Sequence, residues 1–170
     1  PTPPHSEDLP LRRPVTSPMS AIHQFVAGFS HGDAISNEAI VMREIFRSWG
    51  YESGIFSESK RILPELRNLA ADVSDYAPVC KADDVVLLHL SIGSPVNDAF
   101  AELPCRKAIL YHNITPPDFF RGIQEQIAAN LRRGREQAAR LGGVAQIVMA
   151  DSAFNGRELQ EWGYGEVKVL

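Results

Sequence analysis

The sequence predicts an α/β domain built on a Rossmann-like, doubly wound, mostly parallel sheet, and three observations lead there. Short, almost wholly apolar runs recur at Asp84–Leu90, Arg106–His112, Ala145–Ala150 and Glu166–Leu170. Such runs fit strands covered on both faces. Segments with helical periodicity lie between them, at 95–102, 117–141 and 152–162; strands alternating with helices of this length form βαβ units. The size is also right: 170 residues, 44% of them hydrophobic, make one domain able to bury about 70% of its unfolded surface.

Taken in order, half of the twelve prolines fall within the first 18 residues. Proline removes backbone donors and favours extended chain, so 1–19 is expected to be a Pro-rich tail and 20–170 the domain. A first strand is expected over Ile22–Phe29, running into a loop that extends from Gly28 to Asp33. Ile35, Ala39, Met42, Ile45, Phe46 and Trp49 then recur at helical spacing. Ser36 or Asp33 can cap this helix, and Gly50 ends it. Tyr51–Phe56 reads as a second strand, and 61–80 as one or two short helices.

Composition excludes several classes. Two cysteines, Cys80 and Cys105, make no disulfide scaffold and lack metal-ligand spacing, which points to a reducing compartment. No apolar run reaches the roughly 18–20 residues that span a bilayer, and the Pro-rich start has no secretory h-region. A net charge of −4 argues against nucleic-acid binding. A cytoplasmic domain is the expectation.

In an open parallel sheet, ligands bind beyond the carboxyl ends of the strands. The loops there are Ser30–Ala34, His89–Ser94, Tyr111–Pro116 and Ala150–Ser152, which hold three of the five histidines. Gly28 and Gly32 do not complete a G-x-G-x-x-G fingerprint, so a dinucleotide site is not expected. A glycine turn into a helix N-terminus can still hold an anion, or Gly32 simply permits a tight turn. His89-Leu-Ser91-Ile-Gly93 approaches a nucleophile elbow, but His89 replaces the first glycine and no histidine follows His112 to complete the hydrolase order. Ser91 is then a loop hydroxyl that contacts a ligand or caps the helix starting near Pro95. His31, Asp33, His89 and His112 show no local metal-binding spacing, and no metal is expected. His23 reads as structural. Arg132, Arg133, Arg135 and Arg140 on one helix read as a solvated face, with peripheral membrane contact through phosphate-bearing lipid left open.

Four of these segments carry a family resemblance. Ala108–Phe120, with His112-Asn113-Ile114-Thr115-Pro116, resembles the strand and loop of bacterial family 4 glycosyltransferases, retaining enzymes of the two-domain GT-B fold. Asp83–Ser94, Gly32–Ser36 and Asp151–Leu159 with Trp162-Gly163 are similar to other segments of that family. The resemblance spans about 21–170 and implies the N-terminal, acceptor-side domain, with a C-terminal donor-binding domain beyond Leu170. It implies transfer from a nucleotide-sugar donor (a UDP- or GDP-sugar, with no other cofactor) to a carbohydrate or lipid-linked acceptor, and little activity from this domain alone. His112 would be the catalytic histidine near the transferred sugar. Gly32 and Asp33 would approach the donor, and Ser91, Ser94, Asn113 and Thr115 would line the substrate pocket. A serine hydrolase using Ser91 and a non-catalytic Rossmann-like binding domain are the rival readings.

Overall fold

The computed structural model describes residues 20–170; the tail expected over 1–19 lies outside the described residues. The elements run β1 (Ile22–Val26), α1 (Ala34–Ser48), β2 (Ile55–Ser57), β3 (Ala71–Asp72), α2 (Val73–Tyr76), β4 (Val85–Leu90), α3 (Pro95–Glu102), β5 (Arg106–Tyr111), α4 (Glu125–Arg140), β6 (Ile147–Ala150), α5 (Ala153–Glu161) and β7 (Lys168–Val169). The seven strands form one parallel sheet in the order β3-β2-β1-β4-β5-β6-β7. The chain builds outward from β1 on one side and then returns to lay β4 against its other side. The order therefore reverses between β1 and β4, the crevice where doubly wound sheets take ligands. The fold class read from the sequence is the one observed.

Side-chain alternation assigns the two faces. Val86, Leu88, Leu90, Ile109 and Tyr111 point to a layer shared with Val96, Phe100, Leu131, Leu141 and Leu159 of α3, α4, α5 and their ends. The opposite face carries Leu87, Ala108 and Leu110 beneath Phe46 of α1, with Val26, Ile55 and Ala39 alongside. Each large apolar side chain fully buried this way contributes about 1.5–3 kcal/mol. Gln24 and His89, both 0% exposed, are polar residues on the α1 face.

Asp33 caps α1 by accepting from the Ser36 amide at 2.8 Å, and Gly50 follows the helix with φ +89°. Three expectations are corrected. β1 stops at Val26, and Phe29 makes only an isolated bridge to Ile62. The stretch read as one or two short helices holds a further strand, β3, followed by the four-residue α2 and a 3-10 turn over Ala77–Val79. The single helix expected over 117–141 is a 3-10 turn at Pro117–Phe120 and a separate α4. Gly122, at φ +77° between the two, leaves the helical region and makes the interruption.

Two glycines bring α4 against the loop after β4. A Cβ on Gly93 would lie 2.4 Å from the Asn130 carbonyl oxygen and 2.7 Å from the Gly134 nitrogen, and one on Gly134 would lie 2.5 Å from the Gly93 nitrogen. The Gly93 amide donates to that Asn130 carbonyl at 3.1 Å. Next to it, Gln137 of α4 accepts from the Ser94 amide and donates to the Ser94 carbonyl, at 3.0 and 2.9 Å.

Candidate active site

The period-two alternation that puts Gln24, His89 and Leu110 on the α1 face also points the next position on β5, His112, the same way. The three polar side chains form a row. Gln24 Nε2 donates to the Ala39 carbonyl of α1 at 2.9 Å. Its Oε1 lies 3.0 Å from His89 Nε2, and His89 Nδ1 lies 3.0 Å from His112 Nε2. His112 ends the row at the surface, its side chain 9% exposed. Carboxylates surround that end: Glu38 Oε2 is 3.7 Å from His112 Nε2, and Asp151 Oδ2 is 3.7 Å from His112 Nδ1.

The two imidazoles are nearly coplanar, with 5° between their planes and 5.2 Å between centroids. The centroid separation exceeds the 3.0 Å nitrogen–nitrogen distance by about two ring radii. The nitrogens therefore meet head-on, edge to edge, rather than face to face. A proton fits on that line. A metal ion does not, because lone pairs aimed at each other leave no common coordination point at metal–nitrogen distances of about 2.0–2.1 Å. Glu38, His89 and His112 are grouped closely enough to suggest a cation site, but the direction of the lone pairs makes the group a hydrogen-bonded one.

Burial, reinforced by the neighbouring His112, holds the His89 pKa down at about 3. Burial also lowers His112, outweighing the pull of Glu38, Asp151 and Asp33 toward the charged form. Both rings are neutral near pH 7.

The loop behind His112 is tightly held. Asn113 adopts φ +77°, a left-handed conformation rare outside glycine. Its side-chain Nδ2 donates to Asn155 Oδ1 at 2.8 Å, and Asn155 Nδ2 in turn donates to Asp151 Oδ1 at 2.5 Å. The Ile114 amide donates to Tyr111 Oη at 2.9 Å, and that hydroxyl donates to Glu158. Arg135 bonds Glu158 and the Ile114 carbonyl and stacks over Trp162, 4.7 Å from the ring centroid. This arginine of the helix read as solvated is thus a structural anchor, and Arg133 pairs with Asp98 at 2.8 Å.

The remaining sequence-derived residues divide. Asp33 and Ser91 line a cleft of about 380 Å³ between the loops after β1 and β4, with Gly28, Ser30, Arg61 and Ile92. His112 is not among its walls. Gly32 sits exposed at the turn with φ +73°, and Thr115 is exposed on the loop after His112. Ser94 is a correction: it is fully buried, and its hydroxyl accepts from the Val96 amide to cap α3, the role the sequence offered to Ser91. Among the described residues, the Ser91 hydroxyl makes no hydrogen bond to a histidine, so the hydrolase reading lacks its base. His23 is structural, its Nδ1 accepting from the Gly54 amide at 3.0 Å. Gln24 and His89 were missed as a pair. Their signal was a polar residue standing at mid-strand in each of two apolar runs, where burial of a polar group is the informative event.

No family model matches the chain, and no curated protein matches it. Among solved structures it is similar to an α-glucosyltransferase in complex with UDP and a 13-mer DNA containing a HMU base, at 14% identity and a TM-score of 0.57. The likeness covers 90% of this chain and 42% of that one. It is a likeness of fold. Among the described residues, no helix is long and apolar enough to cross a membrane.

Proposed function

We propose that this chain is the acceptor-side domain of a retaining, family 4-like glycosyltransferase. It would work with a donor-binding domain to move a sugar from a UDP- or GDP-sugar to a carbohydrate or lipid-linked acceptor. The observation that carries the reading is the meeting of His112, Asp151 and Glu38 at the carboxyl edge of a sheet whose fold is shared with a UDP-bound glucosyltransferase. Sugars need neutral donors and acceptors on rigid supports, and strand ends provide such supports.

In this reading His112 contacts the transferred sugar beside Asn113 and Thr115, and Ser91 faces it from the neighbouring loop. Gly32 and Asp33 form the turn nearest the donor. The diphosphate would be met by backbone amides at a helix N-terminus, which favours anions, with no metal or other cofactor. The net charge of −4 disfavours a nucleic-acid acceptor. Peripheral membrane contact would bring a lipid-linked acceptor to the same edge, inside the cell.

Titrating the ¹⁵N-labelled chain with UDP-glucose, GDP-mannose and methyl α-glucopyranoside tests this. Shifts confined to the amides of Gly32, Asp33, Ser91, His112, Asn113 and Thr115 are expected. No shifts at millimolar ligand, or shifts elsewhere, would remove the assignment. Sugar transfer is expected only when the chain is joined to its donor-binding domain, and turnover by the 170-residue chain alone would overturn the half-site view.

A further inference from the structure

The direction of one buried amide sets the chemistry of the exposed ring. Gln24 Nε2 is committed to the Ala39 carbonyl, so the atom turned to His89 is Oε1, which can only accept. His89 Nε2 must then carry a proton. A neutral His89 protonated at Nε2 has a lone pair at Nδ1, and that lone pair faces His112 Nε2. His112 Nε2 must therefore carry a proton too. In neutral His112 the one lone pair left is on Nδ1, the nitrogen turned to Asp151.

We propose that Gln24 and His89 are positioning residues that commit His112 to its Nε2–H form, so that it meets a substrate as a hydrogen-bond acceptor at Nδ1. The complementary ligand is a pair of neighbouring hydroxyls, as on a sugar ring. One hydroxyl donates to His112 Nδ1 and the other to Asp151 Oδ2. These two acceptors lie 3.7 Å apart, and Asp151 is held by Asn155 through its other oxygen. Neither acceptor has a donor of its own to satisfy the other, which leaves the pair to an incoming donor. Glu38 and Asp151 each lie 3.7 Å from a His112 nitrogen; two carboxylates repel a phosphate, so the diphosphate of a nucleotide sugar is kept from the His112–Asp151 corner. The identity of the ligand rests on the proposed function. The protonation pattern of the rings does not.

The test is ¹⁵N-histidine NMR on the full chain. The wild type is expected to show Nε2–H forms for both rings and a scalar coupling between His89 Nδ1 and His112 Nε2 across the hydrogen bond. Gln24→Leu removes the acceptor that orients His89. The chain of bonds should then reverse: His89 becomes Nδ1–H, and His112 becomes Nδ1–H, facing Asp151. Gln24→Glu, taken up as the neutral acid, both donates to Ala39 and accepts from His89, so it should restore the wild-type pattern. A purely structural residue 24 would not move the proton of a ring it does not touch. His112 found as Nδ1–H in the wild type, or unchanged by Gln24→Leu in a folded variant, overturns the proposal. If Gln24→Leu does not fold, the wild-type form and the coupling decide it. A separate titration with methyl α-glucopyranoside reads the ligand: silence there with the expected ring forms would sink the sugar reading and leave the relay standing.

Discussion

Two histidine clusters occupy opposite ends of the same strand pair, and they are built to different ends. Near the start of β1, His23 packs edge-on against Phe56 and Tyr76. Asp84, one residue before β4, accepts from Tyr76 Oη at 2.9 Å, the Lys81 amide at 3.0 Å and the Ala21 amide at 3.3 Å. That cluster is closed, with the carboxylate surrounded by the protein's own donors. Near the end of β4, the row Gln24–His89–His112 is satisfied from its buried end outward and finishes among carboxylates at the surface. Similar residue types thus produce a structural pin where donors balance acceptors, and a candidate binding site where acceptors are left over.

The contrast can be broken most forcefully at the closed end. Asp84→Leu strands three donors, at about 1–3 kcal/mol each, so a stability loss on the order of 3–9 kcal/mol is expected. Urea unfolding measures it, and the His112 ring signals should keep their positions at conditions where the variant is folded. A loss under about 1 kcal/mol would mean that the cluster is not a pin.

The next effect is the response to acid. His89 stands at about 3 in the folded chain, against an ordinary value near 6.5. The unfolded chain therefore takes up the proton first. The stabilisation is complete above about pH 6.5 and is lost as the pH falls toward 3, with a slope of up to about 1.4 kcal/mol per unit. His23, lowered by burial against the pull of Asp84 and Glu52, adds a contribution of the same sign. Asp84 is pushed up by burial but held low overall by its three donors and His23, so it adds acid lability only below the ordinary carboxylate range. Urea midpoints at pH 7.5, 5.5 and 4.5 should fall in that order, and His89→Asn should flatten the decline. Equal midpoints from pH 7.5 to 4.5 would contradict the buried, neutral row.

Between the two ends, Tyr111→Phe removes the hydroxyl that joins the Ile114 amide to Glu158. About 1–3 kcal/mol of stability should go with it, since the Ile114 amide is left buried without an acceptor. The smallest change in stability is expected at the open end. His112→Ala should lower the stability read from urea unfolding by less than about 1 kcal/mol and weaken sugar transfer by the joined domains by about tenfold, the worth of one good hydrogen bond. Unchanged transfer would remove His112 from the site.

The sequence was most legible where a single physical pattern dominated. The runs at 84–90 and 106–112 became β4 and β5 because uninterrupted apolar stretches have few other stable fates in a sheet covered on both faces. Ser36 and Asp33 were both legible as short acceptors at a helix start, and the structure makes Asp33 the cap. β3 was not legible: two residues, Ala71 and Asp72, are too short to express a period. The family resemblance names His112 and Asn113, whereas the sequence weighs His89 only as a substitute for an elbow glycine and as a metal-ligand candidate. Its actual partners, 65 residues upstream and 23 downstream, meet it only through sheet register. Ser91 and Ser94 were both offered to the substrate pocket; only the packing of α3 shows that Ser94 is consumed as its cap.

The contact between Gly93 and Gly134 restricts this molecule in a way that stability alone does not express. Either glycine, given a methyl group, would strike the backbone of the other's segment, so no single substitution can widen the gap and leave room for the second. The wall that carries Ser91 is therefore locked to α4 along every one-step path of sequence change. Variation in what the cleft accepts is then expected at lining side chains that leave this contact intact, such as Ser30, Arg61 and Ser91, rather than at Gly93 or Gly134.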